Sequence, residues 1–543
     1  MHYALRRSLV AALTLSSLAS SSCGGTAPRV ETAAVTTRPK LVVLVVYDQL
    51  ASWVLALHES SLASDGAVHW ISDRGLHVER AHYAYAGTFT APGHTAIVTG
   101  ASPSESGVPS NRVWDRARQA RVSSFDDGVH LIVNRTDGFA SPSTMRVPSV
   151  ADLLRDAHPN ARVVALGMKD RSALPPGGQH PTLTLWFDPL AGGFTTSTEF
   201  RTELPAWVQA FALAHPWGSY RRVWEPLRAY DELGPDDAPG EGSYGFDSNF
   251  PHDANGLTEI DAFLSLPSST ELLIELAREA VVQEHLGDDD VTDFLSLSIA
   301  STDYVGHGFG PESWEARDNL VRIDRDVGRF LASLSERMDI AVVLTSDHGI
   351  APLPERAAEH NLPTHTRWSS AEELPLLRAN LDASLGAREG GWVDGWVVPY
   401  ITFAEGVHSD PALRALAVTQ TVAFLQTRPG FGTVVDARLA HELRASEDEA
   451  MRAIGLSITS DPPGDVYVMP SSGSVCDDSA GTTGTAHGSP FDYDREVPVL
   501  VMGPGVSHAR VETRVEQARV ASTLAHLLGV QTPTAAHPLL HEE

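Results

Sequence analysis

Asp48 follows the apolar run LVVLVVY, Asp303 and His307 follow FLSLSIA, and Asp347 and His348 follow IAVVLTS. A sixth position, His487, stands in the small-residue loop TTGTAHGSP ahead of another apolar run. Taken singly each has an ordinary explanation, since the chain carries 23 histidines. Jointly they do not, because a carboxylate at the end of a buried strand is costly unless it is paired or holds a metal. Three aspartates and three histidines form a donor set suited to two metal ions of borderline softness, with zinc preferred over magnesium or calcium. Two such ions about 4 Å apart would clamp the attacking and leaving oxygens of a phosphoryl displacement. A hydroxyl nucleophile is at hand in GTFTAPGHTAIVTG (87–100), where Thr88 and Thr90 precede Pro92-Gly93 and a helix expected through Ala96–Val98. A hydroxyl there would meet unpaired backbone N–H groups and the positive end of the helix dipole. The rival role for either threonine is that of a simple helix cap.

The elements that must position these residues are legible from their patterning. Leu41–Tyr47 is an unbroken β-branched run, the mark of a strand buried on both faces of a parallel sheet. Arg162–Leu166, Phe294–Ala300, Ile340–Thr345 and Val497–Met502 repeat it. Helices fall between. Ser268 and Glu271 have capping-box spacing ahead of Leu272, Leu273, Leu276 and Ala280. Another helix is expected from about Trp314 to Leu334, with Leu320, Ile323, Val327, Phe330 and Leu331 on one face. The alternation predicts an α/β fold, a mostly parallel central sheet with helices on both faces. Such sheets bind ligands beyond the carboxyl ends of their strands, the rim to which the aspartates and histidines are delivered. Two stretches, about 195–255 and 351–470, break the rhythm and are expected as insertions that cap one end of the sheet.

With 42% hydrophobic and 20% charged residues over 543 positions, a large core is readily built and wholesale disorder is excluded. A net charge of −29 argues against binding nucleic acid or an anionic membrane surface. An anionic substrate would therefore need positive charge concentrated locally. Two cysteines, Cys23 and Cys476, exclude a disulfide framework and a cysteine-based zinc cluster. Arg6 and Arg7 precede the apolar run Leu9–Ala19 and then Ser-Ser-Ser-Cys, so residues 1–23 read as a secretory signal too short to span a bilayer. The segment resembles a bacterial lipoprotein signal, which implies an exported protein, periplasmic or at the cell surface, that touches a membrane only through lipid on Cys23. Residues 24–39 read as a linker, and 40–543 as a catalytic domain with its insertions. Cys476 is then an unpaired thiol, expected to be inert.

In chain order, YDQL, TAPGHTAIVTG, GVPSNRVWD, GMKDRSALPPGG, ASTDYVGHGFGP, LTSDHG and GTAHGSPFDYDREVPVLVMG resemble the motifs of the alkaline phosphatase superfamily. The resemblance lies in its type I phosphodiesterase/nucleotide pyrophosphatase-like branch, nearest the PafA-type bacterial alkaline phosphatases with a threonine nucleophile. It implies two Zn2+ ions, one held by Asp303, His307 and His487 and the other by Asp48, Asp347 and His348. It implies that Thr90, 21 residues before Asn111, is the nucleophile and a zinc ligand, and that Thr88 is structural. Asn111 would bind a phosphoryl oxygen, and His94 would be a packing residue. Lys169 and Arg171 would reach phosphate oxygens, a feature that pure diesterases lack. Two dications against three aspartates leave one positive charge. Lys169 and Arg171 make it three, and a Thr90 alkoxide makes it two. A phosphate monoester dianion balances that charge and a diester monoanion does not; arginine also suits bidentate phosphate recognition. The implied enzyme is a monomeric alkaline phosphatase acting on small-molecule phosphate esters. The alternative is a phosphodiesterase or nucleotide pyrophosphatase. A sulfatase is disfavoured because that chemistry needs Cys or Ser where Thr90 stands.

Overall fold

The computed structural model describes residues 38–363, 366–478 and 481–541, so the signal segment, Cys23 and the linker up to residue 37 lie outside the described residues. Every residue of the strand Leu41–Tyr47 is buried. Successive side chains of a strand leave opposite faces. Leu41, Val43, Val45 and Tyr47 accordingly enter one apolar layer, with the helices Pro267–Gln283 and Trp314–Ser335. Val42, Leu44 and Val46 enter the other, with Ala96–Val98, Val150, Leu154 and the helix Arg519–Leu528. A strand apolar at every position is the sequence consequence of being covered on both sides.

The main sheet runs in the order Ala509–Val511, Leu76–His82, Glu496–Met502, Ile340–Thr345, Leu41–Tyr47, Asp293–Ile299, Val163–Gly167, Leu183–Asp188 and Gly193–Thr195. The five strands from Ile340–Thr345 to Leu183–Asp188 are mutually parallel. The expected mostly parallel α/β sheet is thus present, with one correction. Glu496–Met502 carries the same apolar pattern but runs antiparallel to Ile340–Thr345 and to Leu76–His82. Apolar patterning reports burial on both faces and is blind to strand direction. The reversal positions the site: residues that precede this strand lie at the same rim as residues that follow the parallel ones, so His487 joins Asp347 and His348.

The helix Trp314–Ser335 begins at Ser313, whose side chain accepts from the Ala316 N–H at 3.0 Å. The capping box expected at Ser268 and Glu271 is not formed. The helix starts two residues earlier than that box would place it, at Pro267, whose fixed φ suits the first helical position. Ser268 then lies inside the first turn and donates to the Tyr220 carbonyl at 2.6 Å.

Within 195–255 the helix Ala206–Ala214 packs on the edge strand Gly193–Thr195, and the ladder of Val223–Trp224 with His252–Asp253 lies toward helix Trp314–Ser335. Trp224, Leu227 and Tyr230 all donate to the Asp318 carboxylate there. Within 351–470 the strands Val393–Val397, Tyr400–Phe403, Val466–Pro470 and Phe431–Asp436 form a separate four-stranded sheet with its own core. Among the described residues no helix is long and apolar enough to cross a membrane.

Asp324, fully buried under Tyr47, accepts from the Val68 N–H at 2.9 Å, yet burial pushes its carboxyl up to about 7. A raised folded-state pKa contributes stability at low pH that is lost as pH rises from the unfolded value toward 7. Asp324→Asn should therefore flatten this part of the profile. Between pH 5 and pH 8 the variant should gain at least about 1 kcal/mol on wild type by denaturant unfolding, and an unchanged difference would refute the assignment.

Candidate active site

Asp48 ends the central strand, and Asp347 and His348 end its neighbour Ile340–Thr345. Asp303 and His307 sit one turn apart on the helix Ser301–Phe309 that follows Asp293–Ile299. The structure brings these five residues and His487 to one cluster, buried except for the partly exposed His307. His307 Nε2 is 3.2 Å and His487 Nε2 3.8 Å from Asp303 Oδ1. His348 Nε2 is 3.4 Å from both Asp48 Oδ1 and Asp347 Oδ2. The rings of His348 and His487 stack at 3.6 Å, so His348 also approaches the Asp303 side.

The three imidazoles share one arrangement. Nδ1 of His307 lies 2.8 Å from the Thr485 carbonyl, Nδ1 of His487 2.7 Å from that of Thr88, and Nδ1 of His348 3.0 Å from that of Gly349. A ring nitrogen facing a carbonyl carries the proton, so each ring directs Nε2 at the aspartates, the pattern of metal-ligating histidines; burial opposes a charge on His307, but Asp303 raises its pKa above the ordinary value. Burial, then the charges of His348 and His307, holds His487 well below its ordinary pKa, and burial also lowers that of His348. Both are neutral at pH 7. Asp48 Oδ1, Asp347 Oδ2 and His348 Nε2 are buried atoms without an aligned hydrogen-bond donor, and the His94 Nδ1 that lies 3.1 Å from Asp347 Oδ2 is equally near the Thr90 carbonyl. Three converging acceptors so poorly supplied with donors fit a cation.

The cations of the site are distributed unequally. Lys169, fully buried, places Nζ 2.6 Å from Asp48 Oδ2 and 2.6 Å from Asp303 Oδ2, bridging the two halves of the cluster. Burial and Asp347 push Asp48 well above the usual carboxylate range against the pull of Lys169. Asp303 is buried as deeply, yet Lys169 and His307 outweigh that and hold it well below the range. Arg171 stands two residues on, with its Nε buried and unpartnered and its nearest carboxylate, Asp170, 3.8 Å away. Lys169 is thus occupied by carboxylates, whereas Arg171 Nε is without a partner.

Thr90 is the first residue of the helix Thr90–Thr99 and is 1% exposed. One N–H of that helix end is not free: Ala91 donates to Asn111 Oδ1 at 2.8 Å. That bond commits the carbonyl end of the Asn111 amide and leaves its NH2 as a donor beside Thr90. Thr88 is buried and serves through its carbonyl, which fixes His487. The helix approaches closely enough that a Cβ on Gly93 would fall 2.3 Å from the Asp347 carbonyl oxygen. Cys476 is buried, and burial pushes its thiol well up, in keeping with an inert role.

Two residues were undervalued by sequence reasoning. His94, expected only to pack, lies with Nδ1 3.1 Å from Asp347 Oδ2 and Nε2 2.9 Å from Ser298 Oγ. Gln49, inside the YDQL motif, donates from its backbone N–H to Asp347 Oδ1 at 3.1 Å and from Nε2 to Asp303 Oδ1 at 2.8 Å. It does so at φ 70°, a left-handed conformation uncommon for a residue with a Cβ. Its position directly after a buried strand-end aspartate was the available signal.

Fold and site together define a mostly parallel α/β sheet whose rim carries a cluster of candidate metal ligands, and residues 42–389 match the model of the type I phosphodiesterase / nucleotide pyrophosphatase family. The chain belongs to that family. It is 30% identical over 522 residues to alkaline phosphatase PafA of Elizabethkingia meningoseptica, covering 92% of this chain and 93% of the relative. The crystal structure of wild-type PafA superposes with a TM-score of 0.84 at 28% identity, covering 92% of this chain and 98% of that one. A PafA mutant structure, TM-score 0.82 at 27% identity over 92% and 98% of the chains, has a threonine, an asparagine, a lysine and an arginine replaced together.

Proposed function

We propose that this phosphoric monoester hydrolase works as an alkaline phosphatase through a phosphothreonine intermediate on Thr90, at a site holding two Zn2+ ions. The observation that carries this reading is the convergence of the buried acceptors Asp48 Oδ1, Asp347 Oδ2 and His348 Nε2, beside the helix that begins at Thr90. Asp48, Asp347 and His348 would hold one ion, with Thr90 as its further ligand, and Asp303, His307 and His487 the other. Bound there, the ions would supply Lewis acidity to the Thr90 hydroxyl, to the leaving oxygen and to the water of the second step. Thr90 Oγ1 bonds to phosphorus as the ester bond breaks, and water later displaces the threonine oxygen to release phosphate. The Asn111 NH2 and Arg171 hold the equatorial oxygens as charge shifts. Lys169, between Asp48 and Asp303, offsets their repulsion and turns a donor toward the same oxygens. The four residue types replaced together in the PafA mutant are those of Thr90, Asn111, Lys169 and Arg171, which supports grouping them.

The test is kcat/KM for an aryl phosphate monoester against the matching diester, on protein lacking residues 1–39. A strong monoester preference that chelation removes and zinc restores is expected. A diester preference would replace this reading with that of a phosphodiesterase or nucleotide pyrophosphatase. Small-molecule phosphate esters are the proposed substrates, the segments 195–255 and 351–470 would shape access to them, and the enzyme would act as a monomer. Export through the 1–23 signal with lipid on Cys23 completes the proposal; lipid labelling that persists in Cys23→Ala would refute the anchor.

A further inference from the structure

A cavity of about 180 Å³ opens onto the site, lined by Asn111 and Arg171 and by His307 and His487, while Asp48, Asp347 and His348 are not among its walls. On the proposed mechanism its open volume therefore lies on the side of the leaving oxygen. Two further arginines face it, Arg112 and Arg121. They belong to a hairpin of Arg112–Asp115 with Ala120–Ser123, in which Arg112 pairs with Ser123 and Trp114 with Arg121. Residues paired in this way share a face with their diagonal neighbours, so both guanidiniums project from the same side.

The hairpin is pinned at both ends. Ser123 Oγ donates to Asp170 Oδ2 at 3.3 Å, and Trp114 lies so close to Gly395 that a Cβ there would sit 2.4 Å from the indole. Arg121 is paired with Asp478, whose other oxygen accepts from the Val398 N–H at 2.8 Å. The Arg112 carbonyl accepts from Ser110 Oγ, but its guanidinium has no hydrogen bond or ion pair among the described residues. Arg112 is exposed at the cavity, with Arg121 and Arg171 as like charges on the same walls. Like charges on one hairpin face are destabilising, and an anion among them removes that cost. Arg171, Asn111 and Lys169 already serve the transferred phosphoryl group, so the anion that Arg112 awaits is a different one. Asp477 lines the same cavity and opposes a further negative charge on its side.

We infer that Arg112 is the centre of a second anion subsite on the leaving-group side, which selects phosphate monoesters whose alcohol portion carries a carboxylate or a second phosphate. The inference rests on the phosphatase reading above and names its substrate class. The probes are ω-carboxyalkyl phosphates of two to five carbons, each compared with the uncharged alkyl phosphate of equal length. At one chain length the wild type should prefer the carboxylate by about tenfold or more, the scale of one charge-assisted hydrogen bond. Arg112→Ala should lower kcat/KM for that ester about tenfold more than for its uncharged partner, and Asp477→Asn should raise the preference. Equal losses on both esters would assign Arg112 to the transferred phosphoryl group and overturn the inference. So would the absence of a wild-type preference at every length. Failure to hydrolyse either ester would instead overturn the phosphatase reading, so the two failures are distinguishable.

Discussion

Thr90→Ala is expected to lower kcat/KM for an aryl phosphate monoester by at least about 10³-fold, the scale on which removal of a covalent nucleophile acts in other hydrolases. The loss should come without unfolding. Thr90 occupies the first position of its helix, where alanine is sterically acceptable, and the neighbouring Ala91 N–H remains bound to Asn111. Acid-quenched wild-type enzyme should carry phosphate on Thr90, and the alanine variant should carry none. Thr90→Ser keeps the hydroxyl and should retain turnover and the trapped intermediate. Wild-type turnover in Thr90→Ala would remove Thr90 from the chemistry, and direct attack by water would take its place.

Lys169→Ala carries the second large effect, a fall of about 10²–10³ in monoester hydrolysis, as for loss of one preorganised donor to the transition state. Diesters, which bring one negative charge fewer, should lose at least tenfold less, roughly the difference expected for one charge-assisted contact. The geometry adds a control. With Nζ 2.6 Å from both Asp48 Oδ2 and Asp303 Oδ2, Lys169 competes with any cation for those carboxylates. Its removal should leave zinc content, measured by mass spectrometry, unchanged or raised. A variant that loses zinc and slows both ester classes equally would show that Lys169 acts by arranging the aspartates and never reaches substrate.

How much of this was readable beforehand follows from what patterning encodes. Leu41–Tyr47 and Ile340–Thr345 were legible to the residue because strands covered on both faces are apolar along nearly their whole length. The residues after them were legible as site candidates because polar groups at such ends need partners. Leu76–His82 escaped notice: Glu79 and Arg80 face outward near the edge of the sheet and break its apolar run. The direction of Glu496–Met502 was not encoded in its composition at all. Nor was the double role of Gln49, which depends on a backbone conformation that a one-dimensional reading does not carry. His94 and Arg112 were quoted inside motifs yet undervalued, because their meaning comes from contacts with Asp347 and Arg171, far away in the chain.

The reversed strand Glu496–Met502 lies inside the sheet, between Ile340–Thr345 and Leu76–His82, and the loop before it supplies His487 and the carbonyl that fixes His307. A nascent chain therefore reaches the end of Asp347 and His348 with three aspartates already made and one wall of the site still unsynthesised. Until the last stretch of polypeptide arrives and threads between two earlier strands, no catalytic centre exists, and long-range pairing of this kind closes late. Chains that stop short of His487 lack one wall of the proposed site and are expected to be inactive.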